Sequence, residues 1–479
     1  MSGISYPSKH DVFFMHQRRL ILNRTPPSLR NTDQADTVYS MSTTLYWMTH
    51  DLRCDDNPAL LKAIAGSDRL ICVYCLDSQW LRPDRYQSTL MGTHRWHFLL
   101  QTLQELDQSL ALNGQRLLFL QGDPVRQLST LIETFKPDRL VVSEQIGVYE
   151  RHQLRQLSLA NPSIEFRSCW THTLFAPHEL PFELAQLPNQ FTPFKHAVEA
   201  TRRAIHPVAA PSRMPPPPAN MPPAPLPLPS ANILSPFRGG CREALAHLDH
   251  YFSQPHAHHY KTTRNALQGW NNSTHFSPWL ANGSLSARRI IERLEAYEAA
   301  FGSNDSTRWI GFELLWREFF HWYALKHGVR LFHRSGIGSR APLTSFYPER
   351  FRQWSQGNTP WPLVNACMHE LNATGFLSNR GRQIAASALI NELGVDWRYG
   401  AAWFQQQLID HDLASNWGNW QYIAGVGADP RGGRHFNLAH QAAQFDPDGE
   451  YVARWAPEPE PPNTDSRDAA DWPLQNRHD

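Results

Sequence analysis

No uninterrupted apolar stretch among the 479 residues is long enough to cross a bilayer as a helix, and the start lacks the apolar core of a secretory signal. An excess of one charge is lacking too. The chain carries 45 basic and 44 acidic side chains, a formal net charge of +1, so any hold on nucleic acid must come from a local patch. Six cysteines do not make a disulfide scaffold in a chain this long. Cys72 and Cys75 fall inside the apolar run 70–76, which reads as a buried strand, and no second Cys or His pair has ligand spacing, so no metal is expected. A reducing, cytoplasmic setting follows from that cysteine usage. There is no Gly-x-Gly-x-x-Gly after the first strand and no Walker lysine loop, so a dinucleotide or nucleoside triphosphate at that sheet has no support.

Tryptophan, in contrast, is abundant. Of 17, 12 lie between Trp270 and Trp455, which places aromatic chemistry in the second half. The length suggests two to four domains. Residues 1–42 are polar and Arg-bearing and read as a disordered extension or as sequence upstream of a true start at Met41, with an organellar presequence the third alternative. From 43 to 170, short apolar strands at 45–48, 70–76, 116–120, 140–143 and 164–167 alternate with helical periodicity at 58–65, 94–112, 124–135 and 149–159. Asn57 and Asp123 suit N-caps ahead of Pro58 and Pro124. The alternation predicts a doubly wound parallel sheet. Asp51 and Arg53, where the first strand ends, read either as an ion pair with a capping role or as part of a site.

Residues 171–240 form a connector, with 11 prolines between Pro207 and Pro229. Proline fixes φ and lacks a donor, so this segment is expected to run extended over the surface. From 241 to 457 the pattern is helical (243–252, 286–301, 311–328, 381–394, 401–409), which predicts an all-α domain; 458–479 reads as a disordered tail.

Four stretches of the helical half combine residues that ordinary packing does not. Tyr260, Ser273, Thr274, Phe276 and Ser277 gather hydroxyls ahead of a helix, where unpaired N–H groups favour an anion. Glu313, Trp316, Arg317 and Phe320 recur at helical spacing, putting acid, indole and guanidinium on one face. Asn379 and Arg382 share a face of a helix that Ser378 can cap. The run 410–422 sets Asp410, Asp412, Asn416, Trp417, Trp420 and Tyr422 within thirteen residues, a poor ordinary core because buried carboxylates and amides need polar partners. A basic cluster, Lys326, Arg330, Arg334, Arg340, Arg350 and Arg352 with Glu349 as its acid, reads as a phosphate patch or as a solvated face.

These strings, in this order, resemble the photolyase and cryptochrome superfamily. Asp-x-Asp-x-x-x-Asn from Asp410, followed by Asn-Trp and Gly-Val-Gly-x-Asp-Pro-Arg, is similar to its flavin-binding core, and Asn-Trp-Gln-Tyr, ending at Tyr422, resembles the DASH cryptochrome branch. The run from Trp47 through Asp51, Arg53 and Asn57 resembles the family's opening signature. The resemblance implies an α/β antenna domain, a Pro-rich connector and a helical domain holding FAD. It implies that Tyr260, Ser273, Thr274, Phe276 and Ser277 hold the diphosphate, that Arg317, Asn379, Arg382, Asp410, Asp412 and Asn416 surround the flavin, with Arg382 paired to Asp410, and that Asn416 lies near N5. A surface salt bridge is the plain alternative for that pair. Trp420 and Trp397 resemble the inner members of an electron-transfer chain. No Trp occupies the outer position between 331 and 352, where Phe346 and Tyr347 stand, leaving Tyr347 or Trp403 as substitutes. Glu313 and Trp316 are implied to face a pyrimidine dimer, with Asn416 as the third catalytic residue. Gln383, Tyr422 and Arg340 are implied substrate or DNA contacts, Gln383 and Tyr422 standing where dimer photolyases have Met and Trp. A methenyltetrahydrofolate antenna is implied near 143–147, although Gln145 replaces an expected Glu.

The function implied is blue-light repair of cyclobutane pyrimidine dimers in single-stranded DNA by an electron from reduced FAD, in a monomer with no membrane association. The rivals are a photoreceptor without repair and a flavoprotein that binds DNA or RNA in the dark. A light-independent flavin oxidoreductase ranks last, for want of a hydride-donor site.

Overall fold

The computed structural model describes residues 41–456, apart from 87, 202, 223, 224, 229–232, 234 and 430. The expectations for 1–40 and for 457–479 lie outside the described residues.

Five strands, β1 (Thr43–Met48), β2 (Arg69–Asp77), β3 (Leu117–Gly122), β4 (Arg139–Ser143) and β5 (Glu165–Cys169), form one parallel sheet in the order β3-β2-β1-β4-β5. Leu45 pairs with both Ile71 and Leu140, so β1 is central and its residues 44–48 are buried. Helices α1 (Pro58–Ile64), α2 (Thr93–Ala111), α3 (Pro124–Phe135) and α4 (Val148–Ala160) cover both faces. As the caps foretold, the Asn57 side chain accepts from the Leu60 N–H at 2.9 Å and Asp123 from that of Arg126 at 2.8 Å. The strand order reverses beside β1, which leaves a crevice beyond the carboxyl ends of β1 and β4.

Asp51 and Arg53 do not pair. Asp51 accepts from the Tyr46 hydroxyl and the Thr49 N–H, while Arg53, 1% exposed, donates to the carbonyls of Asp56, Thr171 and Gly283. Three carbonyls meeting one fork of donors outcompete a single carboxylate, and they clasp the sheet half to the helical half.

In the connector, α5 (Phe191–Ala200) precedes the Pro-rich run, whose described part lies along the sheet without helix or strand and turns at 219–220. Pro216 O accepts from the Leu70 N–H at 3.1 Å, and Met221 is buried against the β-half core. Proline thus serves here through carbonyls, which it retains.

The helical half comprises α6 (Cys241–Ser253), α7 (Tyr260–Thr263), α8 (Ser277–Asn282), α9 (Ala287–Phe301), α10 (Asp305–His327), α11 (Pro348–Gln356), α12 (Pro362–Thr374), α13 (Asn379–Ser387), α14 (Trp397–Gln407), α15 (Leu413–Ile423), α16 (Leu438–Phe445) and α17 (Glu450–Trp455). Three expected helices change extent, and the one expected at 401–409 runs from Trp397 to Gln407 because Asp396 caps the Arg398 N–H. The one expected at 311–328 starts at Asp305, because Asn304 caps the N–H groups of Ser306 and Thr307. The one expected at 381–394 starts at Asn379 under the Ser378 cap, and after Ser387 it widens into a π turn over Ala388–Glu392, stopping before Gly394 at φ +63°.

Candidate functional site

A cavity of about 860 Å³ opens into the helical half, and three walls of named side chains enclose it. The first is the chain entering α8, where Tyr260, Ser273, Thr274, Phe276 and Ser277 all line the space. His247 Nε2 to Thr274 O at 2.9 Å and the Thr263 hydroxyl to Asn272 O at 2.9 Å hold this loop.

The second wall is one face of α10. Glu313, Trp316, Arg317 and Phe320 line the cavity together, as their spacing foretold. Glu313 accepts from Arg264 Nη1 at 2.6 Å and from Trp309 Nε1 at 2.9 Å. Burial raises its carboxyl above the usual range, against the pull of Arg264 and Trp309. Trp316 lies flat on Phe191 of the connector, with ring centroids 3.8 Å apart and planes 8° apart, and meets Tyr422 edge-on at 5.9 Å. Arg317 donates to His172 O at 2.6 Å, so its head is fixed by the chain leaving β5.

The third wall comes from α13 and the start of α15. Arg382 donates through Nε to Leu377 O at 2.8 Å and through Nη2 to Asp410 Oδ2 at 2.7 Å. The Asp410 side chain is 1% exposed, so this is no surface salt bridge, and its Oδ1 is buried with no partner. Asp412 caps α15, accepting from the Ser415 N–H at 2.7 Å and from His321 Nε2 at 2.8 Å. Burial alone would raise its carboxyl; His321, Arg317 and the Ser415 N–H outweigh that and hold it well below the usual range. Asn379, Gln383 and Tyr422 complete this wall.

Asn416 lies one layer deeper. It lines an adjoining recess of about 100 Å³ with Asn379, Arg382, Asp410, Asp412 and Trp420, and donates to Ala401 O at 2.9 Å. Trp420 is buried in that recess, 6.1 Å from Trp354 and edge-on to it. Trp397 lines neither space; it donates to Arg334 O at 3.0 Å and stands 5.8 Å from Trp417. Tyr347 lies under Arg350, and Phe346 stacks on Tyr399 at 3.9 Å. Trp403 meets Phe351 at 6.2 Å.

Arg340 does not reach the cavity; it is exposed on the loop before α11. The basic cluster around it is largely spent on local bracing. Lys326 donates to Leu187 O, Arg330 to Ile337 O, Arg334 to Pro342 O and Arg350 to Leu393 O, while Arg352 pairs with Glu349. Bonds to carbonyls leave each positive charge in place but fix where its head points, so the cluster is a less adaptable phosphate patch than its count suggests. Arg264, Trp309 and Phe191 were not singled out beforehand. The i, i+4 spacing of Trp309 and Glu313 was visible, but Arg264 and Phe191 reach the site only through tertiary packing.

A further cavity, of about 230 Å³, occupies the crevice beyond β1 and β4, where His50, Gln145, Ile146, Gly147 and Glu150 face Asp412, Leu413 and Trp417 of the helical half. Among the described residues no group of three or more His, Cys, Asp or Glu could hold a metal, and no helix is long and apolar enough to cross a membrane.

Family comparisons meet this geometry. Residues 309–476 match the FAD binding domain of DNA photolyase, and residues 44–217 match DNA photolyase. A Cryptochrome DASH from Idiomarina loihiensis is 50% identical over 435 residues, covering 90% of this chain and 96% of that protein. The chain belongs to the cryptochrome DASH family. A solved Synechocystis cryptochrome superposes with a TM-score of 0.84 at 39% identity, covering 88% of this chain and 90% of the other. A bacterial class III photolyase from Agrobacterium tumefaciens gives 0.76 at 27% identity over 89% and 88% of the two chains. The cofactor of this chain is therefore FAD. The large cavity suits it on its own terms: hydroxyls at one end for a diphosphate, and at the other a buried carboxylate oxygen lacking a donor beside a fixed guanidinium. When bound, FAD supplies light absorption and one-electron chemistry.

Proposed function

We propose that this chain is a blue-light-driven photolyase for cyclobutane pyrimidine dimers, acting on single-stranded DNA. The observation that supports this most directly is that Glu313 and Trp316 face the same cavity as Arg382 and Asp410, so a substrate base and a flavin ring share one enclosed space. Glu313 is fixed from behind by Arg264 and Trp309, and burial shifts its carboxyl toward the neutral form, the form that can donate to a pyrimidine carbonyl. Trp316, stiffened from behind by Phe191, offers a flat face for a base, and Tyr422 stands edge-on beside it.

The remaining roles follow the same reading. Tyr260, Ser273, Thr274, Phe276 and Ser277 hold the diphosphate. Arg317, Asn379, Arg382, Asp410 and Asp412 set the charge around the ring, with Asn416 beside it, and Trp420 and Trp397 carry electrons inward. Gln383 and Tyr422 touch substrate. The crevice beyond β1 and β4 suits a light-harvesting folate, since ligands of doubly wound sheets bind at that switch point. A lesion must leave the stack to reach this depth, which costs least in a single strand. With a net charge of +1, the chain has only a modest overall electrostatic hold on a duplex.

The test is repair of a thymine dimer in single-stranded and duplex oligonucleotides by reduced protein under blue light. Repair of the single strand is expected, with a loss of about tenfold or more in Glu313→Ala at unchanged FAD content. No repair of either strand by FAD-loaded protein would leave a photoreceptor.

A further inference from the structure

Two large cavities approach each other at one point. The flavin cavity and the crevice beyond β1 and β4 share only Ala281 and Asp412 among their described lining residues, and of these only Asp412 can carry a proton. Behind Asp412 stands His321, 2% exposed, which lines the crevice and not the flavin cavity. Its Nε2 meets Asp412 Oδ2 at 2.8 Å, and its Nδ1 is buried with no partner. Asp412, held ionised, requires that Nε2 carry the hydrogen, which leaves Nδ1 a bare acceptor on the crevice side.

The crevice lining presents groups that hydrogen-bond water, and the relay below is for protein whose crevice holds water rather than folate. Its lining includes His50, His172 and His411, and burial depresses all three rings, so they are neutral and each presents an exchangeable nitrogen. His411 Nδ1 and Glu150 Oε2 are also buried and unpartnered. The charged groups facing His321 are Asp412 and Arg317, with Arg95 and Glu150 across the crevice. Its mouth carries Arg85 and Tyr149, both exposed.

We propose that His321 relays protons from the crevice to Asp412 and so couples bulk water to the flavin site. A water in the crevice gives a proton to His321 Nδ1, and the Nε2 hydrogen passes to Asp412 Oδ2. The carboxylate becomes a neutral carboxyl facing the flavin cavity. One proton enters, supplied by bulk water, and it offsets one electron that an external thiol delivers to the flavin site under light. Added negative charge beside an ionised carboxylate is costly in a low-dielectric site, and it raises the affinity of Asp412 for a proton against the pull of His321, Arg317 and the Ser415 N–H. The proposal rests on the FAD assignment and not on DNA repair.

The experiment is proton uptake after a blue-light flash, read with a pH indicator dye in the FAD-loaded protein with a thiol donor. His321→Gln retains a donor toward Asp412 but cannot relay. The expected result is FAD content and flash-induced bleaching unchanged, proton uptake slower by roughly 10²-fold, and recovery when imidazole is added. Uptake at the wild-type rate in this variant would overturn the relay. Should the variant lose FAD, the wild-type protein decides: a transient carboxylic C=O infrared band, shifted by isotope-labelled aspartate, supports the relay, and its absence overturns it.

Discussion

Arg382 and Asp410 form a buried ion pair on the wall of the large cavity. Asp410 is buried, and one of its oxygens depends on Arg382. Removing one partner of a buried pair costs roughly 3–5 kcal/mol because the other charge remains. Arg382→Ala is therefore expected to lower the melting midpoint and to release FAD on gel filtration, which absorbance at the flavin band checks. Glu370 makes a second residue-scale prediction. It lines the same cavity, accepts from the Tyr451 hydroxyl, and is pushed by burial to about 7, with Tyr451, Arg454 and Arg382 pulling the other way. The folded state then binds a proton more tightly than the unfolded chain, so stability is full below about pH 4.5 and falls as pH rises toward 7. Glu370→Gln keeps the acceptor and removes the charge. Melting curves should show it more stable than the parent at pH 8 by about 1–3 kcal/mol, with a flatter profile between pH 5 and 7.

At the scale of elements, the placement of α15 decides how Trp420 sits in the recess beside the large cavity. Gly400 on α14 allows that approach, since a Cβ there would lie 2.2 Å from the Trp420 ring and 2.5 Å from Leu389. Neither neighbour is a free-ended chain, so Gly400→Ala must push α15 away, costing roughly 1–3 kcal/mol. Reduced thermal stability and weaker quenching of flavin fluorescence by Trp420 are the expected readouts. Helix α10 shows how far element-level reading goes. Its site face was legible from the spacing of Glu313, Trp316 and Arg317, because a 3.6-residue period fixes which side chains share a face. Its start was missed because Asn304, an unremarkable loop residue in sequence, supplies the cap that adds a turn and a half. The π turn after α13 was equally hidden: every residue in it is an acceptable helix former, and only packing widens it.

Over the whole molecule, the sheet half and the helical half are joined by buried polar clasps. Asp56, fully buried at φ +45°, pairs with Arg288 at 3.0 Å and accepts from the Ser286 hydroxyl and the Val208 N–H. Asp56→Asn keeps the shape and tolerates the left-handed backbone, but leaves Arg288 without its carboxylate. Calorimetry should show the parent melting in one transition and this variant lower by several degrees, the two halves separating. A single unshifted transition would show that the clasp contributes nothing.

The sequence by itself determined the fold class. Strand and helix periodicities and caps at Asn57, Asp123 and Ser378 are local, so the parallel sheet and the helical half could be read residue by residue. It also determined which polar and aromatic strings were out of place in an ordinary core, and fourteen of the residues so marked, from Tyr260 to Tyr422, line one cavity. Only the tertiary structure decided that Asp51 and Arg53 part company, that Arg340 stays away, that Arg264 and Phe191 serve Glu313 and Trp316, and that His321 stands behind Asp412. Each depends on which distant carbonyl, ring or carboxylate arrives at hydrogen-bonding or stacking distance. That choice is made by the packing of whole elements, and no local pattern encodes it.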